Sequence, residues 1–378
     1  MPDEDDRAGS GRREGRRNAP MPGKRKLSFD IIRIVAILMV VMVHASLYLV
    51  AYYDPQTQNA AFQVGNLFGG LARAGTPMFM MLSGALFLDE GRDFDPRRFF
   101  RKSLLGLLRL LVFWTLFFAI CSAVAKPLIE GRPVDMALFW DCLLSSNADY
   151  PHLWYMFMLA GAYLAIPVLR LYVKAENRRY ILGLIIISTI AQFFAQTAEV
   201  FTLKLKYGII NFMDLFYLDY FIGYVPYLMI GWYLSVFPPK GKARIALIGA
   251  GAAAAVIIVV GVPRWIHDIP NIREYIAEIG TLPAMVYGVG VFTLISSLAG
   301  ERETRSRVLI TMSRTAFGVY ILHMFFLKNI LSVMPYAAFH EQHPFLYLIT
   351  LFVSVYTVTL GAVLLLSRIR GVRALVRG

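Results

Sequence analysis

The chain has 378 residues, 57% of them hydrophobic and only 17% charged, with a mean hydropathy of +0.57. Soluble domains lie near half apolar and a quarter charged, so this composition points to a polytopic membrane protein. A net charge of +13 would suit a nucleic-acid binder, but the basic residues fall in short clusters between apolar runs, as the positive-inside rule dictates, and no nucleic-acid partner is expected.

Residues 1–26 are polar and rich in Gly and Arg, with Pro at 2, 20 and 22, and read as a disordered basic tail. Arg12-Arg13 and Arg16-Arg17 faintly resemble a twin-arginine signal. The apolar run from Phe29 is long enough to span, however, and no small-residue cleavage site follows it, so it reads as a retained helix. From there ten spans are predicted, near 29–50, 63–88, 103–125, 152–173, 180–199, 214–236, 243–263, 278–298, 308–333 and 344–366. The expected fold class is therefore all-α: a polytopic helix bundle over 27–367, with a short basic tail at 368–378. Cys121 and Cys142, the two cysteines, have neither zinc spacing nor a disulfide framework around them and read as packing residues.

The first span carries Arg33 and His44 inside it. Eleven residues of helix turn through roughly 1100°, three turns and about 20°, so the two share one stripe about 16 Å apart. Ionisable groups at membrane depth are expensive and usually face a cavity or pathway. A snorkelling arginine and a packed histidine are the plainer alternative. Arg73 and Ser83 lie in the second span: Arg73 reads as a channel residue or an ion-pair partner, and Ser83 as a small packing residue beside Gly84. Arg97, Arg98, Arg101 and Lys102 open the third span, at a density beyond what orientation alone needs. His152 and Trp154 begin the fourth, where an interfacial aromatic belt and a sugar-stacking surface are the two readings. Asp141, Asp149, Asp214 and Asp219 flank outward span ends, and the stretch from Phe216 to Tyr227 is aromatic. His323 is buried in the ninth span, and His267, His340 and His343 are loop residues without an assigned role.

With the amino terminus inside, the cytoplasmic segments hold 26 Lys and Arg and the outward connections 6. Both termini are therefore expected in the cytoplasm of a multi-pass protein of the cell inner (cytoplasmic) membrane. No repeat, metal constellation, phosphate-cradling Gly loop or Gly-x-Ser-x-Gly elbow is evident.

Five segments, taken together, are similar to a known family. Arg33, ten residues, then His44 resembles the start of the membrane acyltransferase 3 family, bacterial enzymes that O-acylate surface glycans. Pro77-Met-Phe-Met-Met-Leu-Ser83-Gly84 looks like its proline-aromatic-Ser-Gly segment, and Arg97-Arg98-Phe-Phe-Arg101-Lys102 resembles its cytoplasmic basic motif. His152-Leu-Trp154 is similar to the His-Leu-Trp start seen in the surface-polysaccharide subgroup, and Tyr320-Ile-Leu-His323 to the late Tyr-x-x-His helix. The resemblance implies acyl-CoA, with acetyl-CoA favoured, as donor substrate at the cytoplasmic face, no bound cofactor, and a glycan or lipid-linked saccharide as acceptor outside. Arg97, Arg98, Arg101 and Lys102 would then bind the coenzyme A phosphates. His44 would act as general base or as a transient acyl carrier, and Arg33 would hold a phosphate or a carbonyl oxygen. Arg73, Ser83, His152, Trp154 and His323 remain channel or acceptor candidates. Some members carry an extracytoplasmic domain that is not evident here, which makes direct transfer the simpler expectation. The alternative class is a secondary transporter or flippase that uses the Arg33/His44 stripe as a solute path.

Overall fold

The computed structural model describes residues 25–52, 59–144, 149–202, 224–265, 277–278, 280–333 and 342–376. The predicted tail up to residue 24, Asp214, Asp219, His267 and His340 lie outside them. Apart from a two-residue antiparallel bridge between Lys26 and Glu303, the described residues contain helices and no strand.

The chain begins with α1 (Leu27–Tyr52), a helix free of Gly and Pro. Next come α2 (Ala60–Leu71) and α3 (Gly75–Phe87). The single span expected at 63–88 is thus broken near Arg73. Pro77 supplies the reason, because it has no N–H to offer the Arg73 carbonyl and its ring crowds that oxygen. Helical segments then run without interruption over Pro96–Ile129 (α4), with π-helical turns at Phe100–Leu104 and Cys121–Ala125. After α5 (Met136–Leu144), a 3-10 turn at Pro151–Leu153 leads into α6 (Trp154–Tyr172). The rest is α7 (Arg178–Thr202), α8 (Val225–Val236), α9 (Gly241–Trp265), α10 (Leu282–Ala299), α11 (Arg307–Val333), α12 (Pro344–Leu366) and the short α13 (Arg373–Val376).

Seven of these segments are long and apolar enough to cross a bilayer: α1, α4, α6 with its leading turn, α9, α10, α11 and α12. The other three predicted spans correspond to the broken pair α2–α3, to α7, and to α8, of which twelve residues are described. Large apolar side chains such as Val112, Leu164, Ile187 and Val256 point away from the bundle, where acyl chains would cover them. The protein is a multi-pass membrane helix bundle.

The central element is α1, which packs against α2, α3, α10, α11 and α12. The tightest crossing joins α3 to α8. A Cβ on Gly84 would lie 1.9 Å from the Leu228 carbonyl oxygen, and one on Gly231 would lie 1.8 Å from that of Met81. Reciprocal glycines let the two backbones touch, as small residues do in membrane helices generally. The segment expected as a carboxy-terminal tail folds back instead. Trp114 Nε1 donates to the Leu375 carbonyl at 3.1 Å, and Val376 is fully buried. This anchor places Arg373 beneath the bundle.

Candidate active site

Arg33 and His44 do share a face, with Val40 between them, and all three line one cavity of about 660 Å³. α3 contributes Thr76, Phe79 and Ser83, α6 contributes Trp154, Tyr155 and Tyr163, and α11 contributes Ser313, Arg314 and Tyr320. At one end the walls carry Arg25, Arg33, Arg314 and Arg373. A second cavity of about 480 Å³ lies toward the other end and includes Tyr48, Arg73, Glu278 and Lys328. Val40, His44, Thr76, His152 and Trp154 line both. The two spaces therefore meet at a waist on which His44 sits.

At the arginine end the key group is a carboxylate that the sequence reading passed over. Asp30, 1% exposed, accepts two hydrogen bonds from Arg25, both 2.6 Å, one from Ser313 at 2.6 Å and one from Thr304 at 2.5 Å. Arg33 Nη1 in turn donates to Ser313 Oγ at 2.9 Å and lies 3.7 Å from Asp30. Pairing between the chain ahead of α1 and the segment ahead of α11 brings these partners together: Leu27 N donates to Arg302 O at 2.8 Å and Thr304 N to Arg25 O at 2.9 Å. A buried carboxylate satisfied by four donors is a fixed support, and it aims one guanidinium into the cavity. Arg314 and Arg373 also line the cavity, and neither forms an ion pair among the described residues.

At the waist, α1, the 3-10 turn ahead of α6, and α11 bring three imidazoles together. The His44 ring centre is 5.1 Å from that of His323 and 6.5 Å from that of His152, and His152 and His323 are 5.1 Å apart. His152 Nε2 faces the Ile321 carbonyl at 2.9 Å, and His323 Nδ1 faces the Tyr320 carbonyl at 2.5 Å. A carbonyl only accepts, so those nitrogens carry the protons, and His152 Nδ1 and His323 Nε2 keep lone pairs. Both lone-pair nitrogens are buried and have no hydrogen-bond partner among the described residues. Tyr320 also ties the cluster together, because its hydroxyl donates to the His152 carbonyl at 2.6 Å. His152 and His323 are 2% and 0% exposed, whereas His44 is the more open of the three and faces both cavities. Among the described residues no group of side chains is arranged to hold a metal ion.

Ser83 donates to the Phe79 carbonyl at 3.0 Å within its own helix and borders the larger cavity, while its neighbour Gly84 makes the close packing. Arg73 lines the second cavity and pairs with Glu278 at 2.7 Å. Trp154 stands at the waist against Tyr155 and Tyr224. Asp149 lies just ahead of α6 and is paired with Lys328 and Ser122. Burial alone would raise its carboxyl, but the Lys328 ammonium and the Ser122 hydroxyl outweigh that and hold it below the usual carboxylate range. Arg97, Arg98, Arg101 and Lys102 border neither cavity and line a separate depression with Asp95, Leu105 and Arg109.

A histidine cluster thus stands at the junction of two cavities within a multi-pass membrane bundle, and one of these cavities has an arginine-rich end. The acyltransferase domain family matches residues 26–366, nearly the whole bundle, and the chain belongs to this membrane acyltransferase 3 family. No curated protein and no solved structure matches it.

Proposed function

We propose that this acyltransferase moves an acyl group, acetyl in the simplest case, from acyl-CoA at the cytoplasmic face of the cell inner membrane to a hydroxyl of an extracytoplasmic or lipid-linked glycan. The observation that carries the reading is the meeting of two cavities from opposite ends of the bundle on His44. The excess of Lys and Arg in segments on the side of the α1 amino terminus supports putting that side in the cytoplasm. Coenzyme A phosphates need concentrated positive charge, and Arg25, Arg33, Arg314 and Arg373 supply it at that mouth. The pantetheine arm then runs along α1 past Val40 and brings the thioester to the waist.

The chemistry balances without a further reactant. His44 takes the proton of the acceptor hydroxyl, and the oxygen attacks the thioester carbonyl. The tetrahedral centre collapses with cleavage of the C–S bond, and the sulfur leaves with the proton as the coenzyme A thiol. The His323 and His152 rings, centred 5.1 Å and 6.5 Å from that of His44, pack beside it and hold its position. Tyr48, Trp154, Glu278 and Lys328 in the second cavity offer the mixture of aromatic faces and polar groups that suits a saccharide.

The test uses purified full-length protein reconstituted with acyl-CoA and glycan acceptor. His44→Ala and His44→Gln are each expected to lower turnover by a factor of about 10² or more with melting unchanged, since a positioned base contributes at least that much. Wild-type turnover in either variant would remove His44 from the mechanism. Mass spectrometry of the His44 peptide after acyl-CoA is added without acceptor separates the base from an acyl carrier.

A further inference from the structure

The five cations Arg97, Arg98, Arg101, Lys102 and Arg109 are not absorbed by this mechanism. Together they line a depression of about 620 Å³, and none of their side chains forms an ion pair among the described residues. The acid beside them, Asp95, accepts from the Arg97 backbone N–H at 2.9 Å as a helix cap. The amino-terminal part of α4 separates this depression from the catalytic cavity. Phe99 turns inward against Phe87 and Tyr163, both of which line that cavity, and Leu107, Leu111 and Trp114 are buried on the same side.

The outward stripe is of a different kind. Leu105, Val112, Leu116 and Ile120 are 42%, 66%, 42% and 44% exposed, at spacings that keep them within one helical face. Arg101 and Arg109 are exposed within the same stripe, four residues to either side of Leu105. An apolar face this open belongs against acyl chains, and Arg109 is set inside it. Side chains on a helix lean toward its amino terminus, so Arg109 reaches back toward Leu105 and Arg101, about 12 Å nearer the membrane surface. A guanidinium so placed needs an anion that approaches from the lipid side.

We propose that this depression is a binding site for the phosphate headgroup of an anionic phospholipid, held between Arg101, Lys102 and Arg109 with its acyl chains along the Leu105–Ile120 stripe. The flanking Arg97 and Arg98 add surface attraction for the same lipid class. The site would tether the amino-terminal turn of α4, and with it the Phe99 wall of the catalytic cavity, to the membrane surface.

The full-length protein is placed in phosphatidylcholine bilayers, and the association of spin-labelled phosphatidylglycerol is measured against spin-labelled phosphatidylcholine. Wild type should prefer the anionic lipid, and Arg101→Gln with Arg109→Gln should lower that preference by roughly fivefold per cation removed. Arg109→Lys should keep most of the preference, because a long cation still reaches the phosphate, whereas a purely structural role would not be rescued. The proposal is overturned if wild type shows no preference, if the double variant keeps it, or if Arg109→Lys loses it with the double variant. Inorganic phosphate or coenzyme A at millimolar concentration should leave the bound lipid in place. Displacement by either would identify an aqueous anion site and would also sink the proposal.

Discussion

At the scale of single residues, the support beneath Arg33 matters as much as Arg33 itself. Asp30 holds Arg25 and, through Ser313, the Arg33 guanidinium. Asp30→Asn leaves these donors without their counter-charge, and breaking a buried pair of this kind costs about 3 kcal/mol. A lower melting temperature and a raised KM for acyl-CoA are expected together, and steady-state kinetics beside a thermal melt would check both. Arg314→Gln with Arg373→Gln touches neither support nor core. It is expected to raise the KM for acyl-CoA by about tenfold or more, as charge-assisted hydrogen bonds are lost, with melting unchanged. Unchanged KM would move the phosphate site elsewhere. Asp149 gives a pH signature. Its carboxyl is held below its ordinary value in the folded protein. The pair with Lys328 therefore contributes in full above the ordinary carboxylate pKa of about 3.9, and the contribution is lost as pH falls from there through the lowered folded value. Melting of wild type against Asp149→Asn should show a gap at pH 7 that closes in acid, and a gap independent of pH would refute the assignment.

Among the elements, α1 was the most legible. The spacing of Arg33 and His44 is a matter of helical period, and the two do share a cavity. Asp30 was legible by the same arithmetic, since it precedes Arg33 by three residues, but a charge at the mouth of a span reads by default as an interfacial group. The break between α2 and α3 also had a local signal in Pro77, although hydropathy runs through it unchanged. The histidine cluster had none. His44 on α1, His152 in the turn ahead of α6 and His323 on α11 are far apart in sequence, and only tertiary packing brings their rings within 5.1 to 6.5 Å. By its own place in the sequence His323 is an ordinary buried imidazole and His152 part of an interfacial belt, and only His44 stands out, through its stripe with Arg33. Arg373 was likewise hidden, because a basic segment after the last span looks like a topology signal until Trp114 anchors it. The crossing of α3 and α8 makes its own prediction. Gly84→Ala forces a methyl to 1.9 Å from the Leu228 carbonyl oxygen, so the helices must separate. Loss of several degrees of melting temperature is expected, with activity falling in step as Ser83 and Phe79 move with α3. An unchanged melt would mean that the crossing is looser than it looks.

For the whole molecule, composition alone predicted a membrane bundle, and the helices lie where the apolar runs are. What composition does not reveal is the division of the interior. An arginine-rich cavity and a mixed aromatic and charged cavity touch at a narrow place, and of the two imidazoles that line both walls, His44 and His152, His44 is the more open. On this account donor and acceptor approach from opposite faces, and the acyl group crosses while coenzyme A does not. Purified protein sealed in vesicles, with acyl-CoA on one side and a membrane-impermeant glycan acceptor on the other, tests this directly. Acylated glycan should accumulate when acyl-CoA is on the side of Arg25 and Arg33, and should not when the two sides are exchanged. Acylation only when donor and acceptor share one side would contradict the account.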